Sequence, residues 1–266
     1  MFKLVFLLLI AINSYAAVAE SNTISAVCTQ QAVYGLPQAT TQGILVCRQA
    51  YTSLNDTRAK IPVWTSYTLT RSHALGCLAR NDQFRPDTSL PLNQRAELSD
   101  YANSGYDKGH LAPDGDMIWD PRISSESFLL SNIVPQVPGL NRSSWRSLET
   151  AVRSWAIQRN HTLLIYTGPV YGINDKTIGR NQVVVPHSFY KIVVDTETLE
   201  YQGFIMHNIN NQGTNLLKFR VPVSLISNLT RVHFPLPSNS IETPINRVWS
   251  VGLASSIKIK KQTCGL

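Results

Sequence analysis

The chain of 266 residues carries 24 Lys and Arg against 17 Asp and Glu, a formal charge of +7. That length holds one large domain or two small ones, and the sequence shows no internal repeat, low-complexity tract, domain linker or later bilayer-spanning apolar stretch, which excludes a repeat array and an integral membrane protein. A basic chain suits a polyanionic partner, since phosphates attract it before any specific contact forms, although the same charge also serves solubility.

Lys3, the apolar run Leu4 to Ile12 and the small residues Ala17-Val18-Ala19 read as a secretory signal peptide over residues 1–19, with Ser14-Tyr15-Ala16 as a second cleavage option. The run is too short for a membrane anchor. Residues 20–266 are then a single exported domain, extracellular or periplasmic, with no stable membrane association. Nothing in the sequence sets its oligomeric state. Four cysteines in an exported chain favour disulfides and allow three pairings; proximity along the chain favours Cys28 with Cys47, which leaves Cys77 with Cys264. No Cys-x-x-Cys pair supports a zinc site.

Residues 20–60 are polar and irregular, and Val63 to Thr70 alternates loosely as a strand. The polar, proline-containing passage Arg80 to Asp107 is long for a loop, which points to functional surface. Trp145 to Arg159 has helical periodicity, with Ser143 or Ser144 as its cap. Trp145, Leu148, Val152 and Trp155 share one face, Arg142, Arg146 and Arg153 another, and Glu149 lies near the border. Those arginines alone read as an ordinary solvated face. Further on, Leu163 to Tyr166 is a strand ending in a turn at Thr167-Gly168-Pro169. Val183 to Pro186, Phe189 to Val194 and Gln202 to Met206 are further strands. Short strands with few helices predict an α+β domain built round an antiparallel sheet.

The chemistry concentrates in Asp107-Lys108-Gly109-His110, then Ser131-Asn132-Ile133-Val134-Pro135-Gln136, then Leu140-Asn141. Phosphodiester hydrolysis needs a base for water, cations against the phosphoryl charge and stabilisation of the leaving oxygen. His110 suits the first role, because histidine titrates near neutrality. Asn and Glu oxygens suit a magnesium site that keeps several waters. Each residue also has a structural reading. Gly109 could supply an unusual backbone angle, and Asn132 and Asn141 could cap or turn the chain. His73, His161, His187, His207 and His233 read as structural.

These motifs, with Trp145, Leu148-Glu149, Thr167-Gly168-Pro169-Val170-Tyr171 and Val185-Pro186-His187-Ser188-Phe189-Tyr190-Lys191, closely resemble the DNA/RNA non-specific endonuclease family, the Serratia-nuclease and endonuclease G group. The resemblance runs from Val63 to Met206. It implies a ββα-metal (His-Me finger) fold and magnesium-dependent cleavage of both DNA and RNA, with manganese or another divalent ion as a substitute. It implies His110 as the general base, Asn141 as the side chain holding the metal, Glu149 as the acid orienting metal-bound waters and Asn132 as a neighbour of both. Arg80, in Ala79-Arg80-Asn81-Asp82, matches the family's phosphate-contacting arginine. Lys108 stands where the family has arginine, which keeps the charge and loses the two-pronged geometry. A neutral His110 at working pH implies activity that falls in acid, between pH 8 and 5. The alternatives are a catalytically impaired nucleic-acid-binding protein of the same fold and a phosphodiesterase acting on another polyanion. Asn55, Asn141, Asn160 and Asn228 head glycosylation-type sequons, and a glycan on Asn141 would block the metal ligand.

Overall fold

A computed structural model describes residues 26–210 and 212–266. The signal peptide expected at residues 1–19 lies outside them. In chain order, the framework begins with strands β1 (Ile44–Cys47), β2 (Thr52–Asp56) and β3 (Ile61–Leu69). Strand β4 (Asp107–His110), helix α1 (Pro121–Ser127), strand β5 (Ile133–Gln136) and helix α2 (Arg146–Arg159) follow. Then come β6 (Leu163–Val170), β7 (Ser188–Asp195), β8 (Glu200–His207), β9 (Arg220–Val221), α3 (Val223–Thr230) and α4 (Leu253–Thr263).

The central sheet has eight strands in the order β9-β8-β7-β6-β3-β2-β1, with Ile241–Glu242 adding in parallel beside β8. All other pairings in it are antiparallel. Thus β3 and β6 are neighbours in space, Leu69 opposite Leu163, while residues 70–162 lie between them in sequence. That excursion carries β4, α1, β5 and α2.

Both faces of the sheet are covered, so its central strands are near-continuous apolar runs rather than alternating ones. Every residue of β6 and β7 is buried. One face meets α2, where Trp145 packs on Phe189 at 5.8 Å and Trp155 on Phe204 at 6.1 Å between ring centroids. The other face buries Leu164, Tyr166, Tyr190 and Ile192 with Val223 and Ile226 of α3 and with Phe234. Trp145, Leu148, Val152 and Trp155 are all fully buried, as the helical periodicity predicts. Cys28–Cys47 and Cys77–Cys264 are both bonded.

Four local expectations need correction. Thr167-Gly168-Pro169 is not a turn, because β6 runs straight through it. Pairing with β3 stops at Thr167, so the missing N–H of Pro169 interrupts no ladder on that side. Helix α2 has no serine cap; a π-helical turn over Leu140–Trp145 feeds it directly, and Ser144 Oγ donates to Gly213 O at 2.6 Å. The strand read over Val183 to Pro186 pairs only at Val183–Val184, with Thr177–Ile178. Gly109 has no positive φ. Glycine is required there because the Gln136 side chain fills the space, its Oε1 lying 2.2 Å from where a Cβ would be.

Candidate active site

Strands β4 and β5 pair antiparallel, with His110 opposite Ile133 and Asp107 opposite Gln136. The chain then enters the π-helical turn and α2. An inserted residue of this kind widens one helical turn and is frequent at functional sites. Trp145 Nε1 donates to His110 O at 3.4 Å, tying the start of the helix to the end of the strand.

His110 stands between two aromatic rings, Phe84 at 5.3 Å and Phe128 edge-on at 5.1 Å. Its Nε2 is enclosed and has no hydrogen-bond partner, which leaves Nδ1 as the nitrogen on the cavity side. Burial, seconded by the charge of Arg80 and opposed by Asp82, pushes the His110 pKa down to about 3. The neutral ring expected from the sequence is therefore reinforced. For the free protein the same depression moves the expected acid decline to lower pH.

Asn132 lies beside the segment that follows His110, accepting from Leu111 N through its backbone carbonyl, but it is fully buried and does not line the cavity. Its side chain accepts from Ala112 N at 3.0 Å and donates to Ala112 O at 2.8 Å and Ser127 O at 2.9 Å. It pins the backbone immediately after His110, acting through that residue rather than on substrate.

Asn141 lies in the π-helical turn and lines the same cavity as His110. Its Nδ2 donates to Asp107 Oδ2 at 2.9 Å, so its Oδ1 is the atom left for a ligand. Asp107 also takes a two-pronged contact from Arg142, at 2.8 and 2.6 Å. Burial would raise the Asp107 pKa, but hydrogen bonds from Arg142 and Asn141 and the charges of Arg142 and Lys108 hold it below the usual carboxylate range.

The cavity holds about 390 Å³ and brings together Arg80, Lys108, His110, Asn141 and Glu149 with Asp114, Arg142, Arg146 and Arg153. Arg80, Arg142 and Arg153 are paired with Asp82, Asp107 and Asp116, whereas Lys108 and Arg146 have no ion pair among the described residues and can meet an anion. Arg80 is at the exposed mouth, paired with Asp82 at 2.7 Å and lying 5.3 Å from the Phe128 ring centre. Lys108 Nζ sits 5.0 Å from the Phe84 ring centre. Burial raises the Glu149 carboxyl above its ordinary range, against the pull of Lys191, Arg153 and Arg80. Burial correspondingly lowers Lys191, a fully enclosed lysine 4.9 Å from the Trp145 ring.

Arg153 is where the helical wheel misleads. It is not on a solvated face. Its Nη1 donates to Asp116 Oδ1 at 2.8 Å, and Asp116 accepts from Tyr67 OH of β3 at 2.8 Å. Gly115 makes room for the guanidinium, which would lie 2.8 Å from a Cβ there. Asp107, Asp116 and Arg153 went unrecognised as site residues because their partners are 34 to 37 residues distant in the chain.

The donor set fits a hard divalent cation. One neutral amide oxygen held in a fixed direction and one nearby carboxylate leave room for the waters that magnesium retains. Among the described residues, the trio close enough to chelate through His and carboxylates is elsewhere, at His161, Asp195 and Glu197. Asp195 there is already occupied by Arg159, His161 and the N–H groups of Glu197 and Thr198, so the trio is an ion-pair network. His73 stacks on Trp119, His187 meets Asp175 and His207 meets Ser188. A larger cavity of about 640 Å³ near Thr40 and Asp56 contains no histidine, and its Asp56 is engaged by Tyr171 and by the N–H groups of Arg58 and Ala59.

Residues 30–238 match the family described as DNA/RNA non-specific endonuclease. The chain belongs to the DNA/RNA non-specific endonuclease family. Mitochondrial endonuclease G of Homo sapiens is 30% identical over 219 residues, covering 76% of this chain and 72% of that one. A nuclease of Nostoc sp. is 38% identical over 132 residues, covering 49% of this chain and 47% of that one. A solved structure of EndoG in complex with EndoGI superposes with a TM-score of 0.71 at 28% identity, covering 77% of this chain and 90% of that one. Family membership makes the chain a phosphodiester hydrolase acting on nucleic acid, and the mixed sheet-and-helix architecture is the family's ββα-metal fold.

Proposed function

We propose that the protein is an exported, magnesium-dependent endonuclease that hydrolyses phosphodiester bonds in DNA and RNA without sugar or sequence specificity. The observation carrying this reading is that neutral His110 and the Asp107-oriented Asn141 line one cavity together with several cations. Magnesium, when bound, offsets charge on the phosphoryl group and the departing oxygen. His110 Nδ1 takes a proton from the attacking water as its oxygen bonds to phosphorus, while the bond from phosphorus to the 3′ oxygen breaks and that oxygen leaves, taking a proton from solvent. Glu149 orders water beside Asn141. Arg80, Lys108 and Arg153 draw the phosphate in and neutralise it. Products with 5′-phosphate and 3′-hydroxyl ends accord with the family resemblance. These side chains address phosphate rather than base edges, so sequence is not read.

Export is supported by the leader-like residues 1–19 and by two disulfides, which persist in oxidising compartments. N-terminal sequencing of the mature protein tests it, and an uncleaved Met1 would count against it.

The activity test uses plasmid DNA and structured RNA, in magnesium and in EDTA, with His110→Ala alongside. Metal-dependent cleavage of both substrates is expected, with rates falling about a hundredfold or more in the variant while nucleic-acid binding persists. Binding without cleavage under any divalent ion would sink the enzyme and leave a nucleic-acid-binding protein of the same fold.

A further inference from the structure

A second groove, of about 370 Å³, opens beside the catalytic cavity, between α2 and the start of α4. Arg142 and Arg146 line both spaces, so the two are contiguous. Their commitments differ. Arg142 is spent on Asp107, whereas the exposed Arg146 makes no ion pair or side-chain hydrogen bond among the described residues. The floor adds the hydroxyls of Ser143 and Ser147, and the far wall is apolar, with Val251 39% and Leu253 42% exposed. No acidic side chain lines it.

We infer that this groove seats a nucleotide flanking the scissile bond, its phosphate on Arg146 and its sugar and base against Val251 and Leu253. The inference rests on the nuclease reading of the adjacent cavity. A polynucleotide presents phosphates in series, so a chain with one phosphate facing His110 must carry the next away from it. This groove offers that phosphate a free guanidinium flanked by hydroxyls. An apolar wall accepts the face of any base and reads no hydrogen-bonding edge, which matches cleavage without sequence preference. The walls are preformed: Ser154 Oγ lies 2.7 Å from Ser256 Oγ, and Gln158 Nε2 donates to Ser256 Oγ at 3.0 Å, locking α4 on α2.

The test is Leu253→Glu. Leu253 is the first residue of α4, where an acid is compatible with the helix dipole, so the fold is retained while a negative charge enters the groove. Binding of a fluorescein-labelled dodecanucleotide is measured by anisotropy in EDTA, and turnover of the dodecanucleotide and of bis-p-nitrophenyl phosphate in magnesium. Dodecanucleotide Kd and KM should rise about tenfold, as the introduced carboxylate opposes the phosphate held by Arg146, with bis-p-nitrophenyl phosphate turnover unchanged. Arg146→Ala should lower the slope of log affinity against log salt by about one. An unchanged dodecanucleotide Kd in Leu253→Glu overturns the groove. Should the wild type cut neither substrate in magnesium, the nuclease reading fails instead, and binding in EDTA still decides the groove.

Discussion

Asn141 can present its oxygen to a ligand because Asp107 occupies its amide nitrogen, and Asp107 stays ionised because Arg142 grips it with two hydrogen bonds. Releasing the amide by Asp107→Ala should raise the magnesium needed for half-maximal cleavage by about ten- to a hundredfold, the usual effect of losing the partner that orients a metal ligand. A magnesium titration unchanged from wild type would refute it. His110 gives a pH signature. Proton acceptance needs the neutral ring, whose pKa burial and Arg80 push down to about 3. A bound phosphate adds negative charge beside the ring and raises that pKa in the complex. Because kcat/KM reports the free enzyme and kcat the complex, the acid limb of kcat should lie at higher pH than that of kcat/KM. Coincident limbs in steady-state profiles would contradict this. The same depression acts on stability. Unfolded histidine titrates near about 6.5, so the unfolded chain binds the extra proton first, and stability falls as pH drops from there towards about 3. At this scale the sequence was readable where chemistry lies in contiguous motifs: His110, Asn141 and Glu149 do share one cavity. The burial of Asn132 against Ala112 and Ser127 was not legible, because a buried asparagine bonded to backbone looks no different in sequence from one facing a ligand.

The strand–strand–helix unit depends on α2 being seated. Its apolar stripe was legible from periodicity alone, since burial of Trp145, Leu148, Val152 and Trp155 obeys the helical repeat. Its entry was not, because a π-helical turn over Leu140–Trp145 adds a residue that no regular repeat anticipates. The other face of α2 was half legible: Arg142 and Arg146 reach the surface, but Arg153 turns inward to Asp116. Trp155 is the anchor, packed between Phe204 and Trp249 and donating to Trp249 O at 3.1 Å. Trp155→Ala should destabilise the protein by about 3–5 kcal/mol through the cavity it leaves, measured by urea unfolding. A loss under about 1 kcal/mol would show that the site tolerates collapse.

Across the whole molecule, Cys77–Cys264 joins residues 187 apart in sequence. It fixes the end of α4 to the segment that leads, three residues later, to Arg80 at the cavity mouth. Replacing both cysteines with serine should cost about 2–5 kcal/mol, since the unfolded chain regains a very large loop. Guanidinium unfolding of the double variant reads this, and an unchanged midpoint would show that the bond contributes nothing to the folded state. Proximity along the chain favoured Cys28–Cys47, and Cys77–Cys264 followed only as the remaining pair. The antiparallel sheet was also legible, from its apolar strands, but its order was not: nothing local in Val63 to Thr70 announces that its neighbour starts at Leu163.

That order governs when a newly made chain can begin to cut. His110 and Asn141 are synthesised before β6, β7 and β8, yet part of the apolar seat of the helical segment that follows Asn141 comes later, Phe189 under Trp145 and Phe204 under Trp155. A polypeptide halted short of residue 204 therefore carries every motif of the site without the full surface that aligns them. Catalytic competence arrives late, with closure of the sheet. The same topology makes the alignment of the site depend on strands made after its residues.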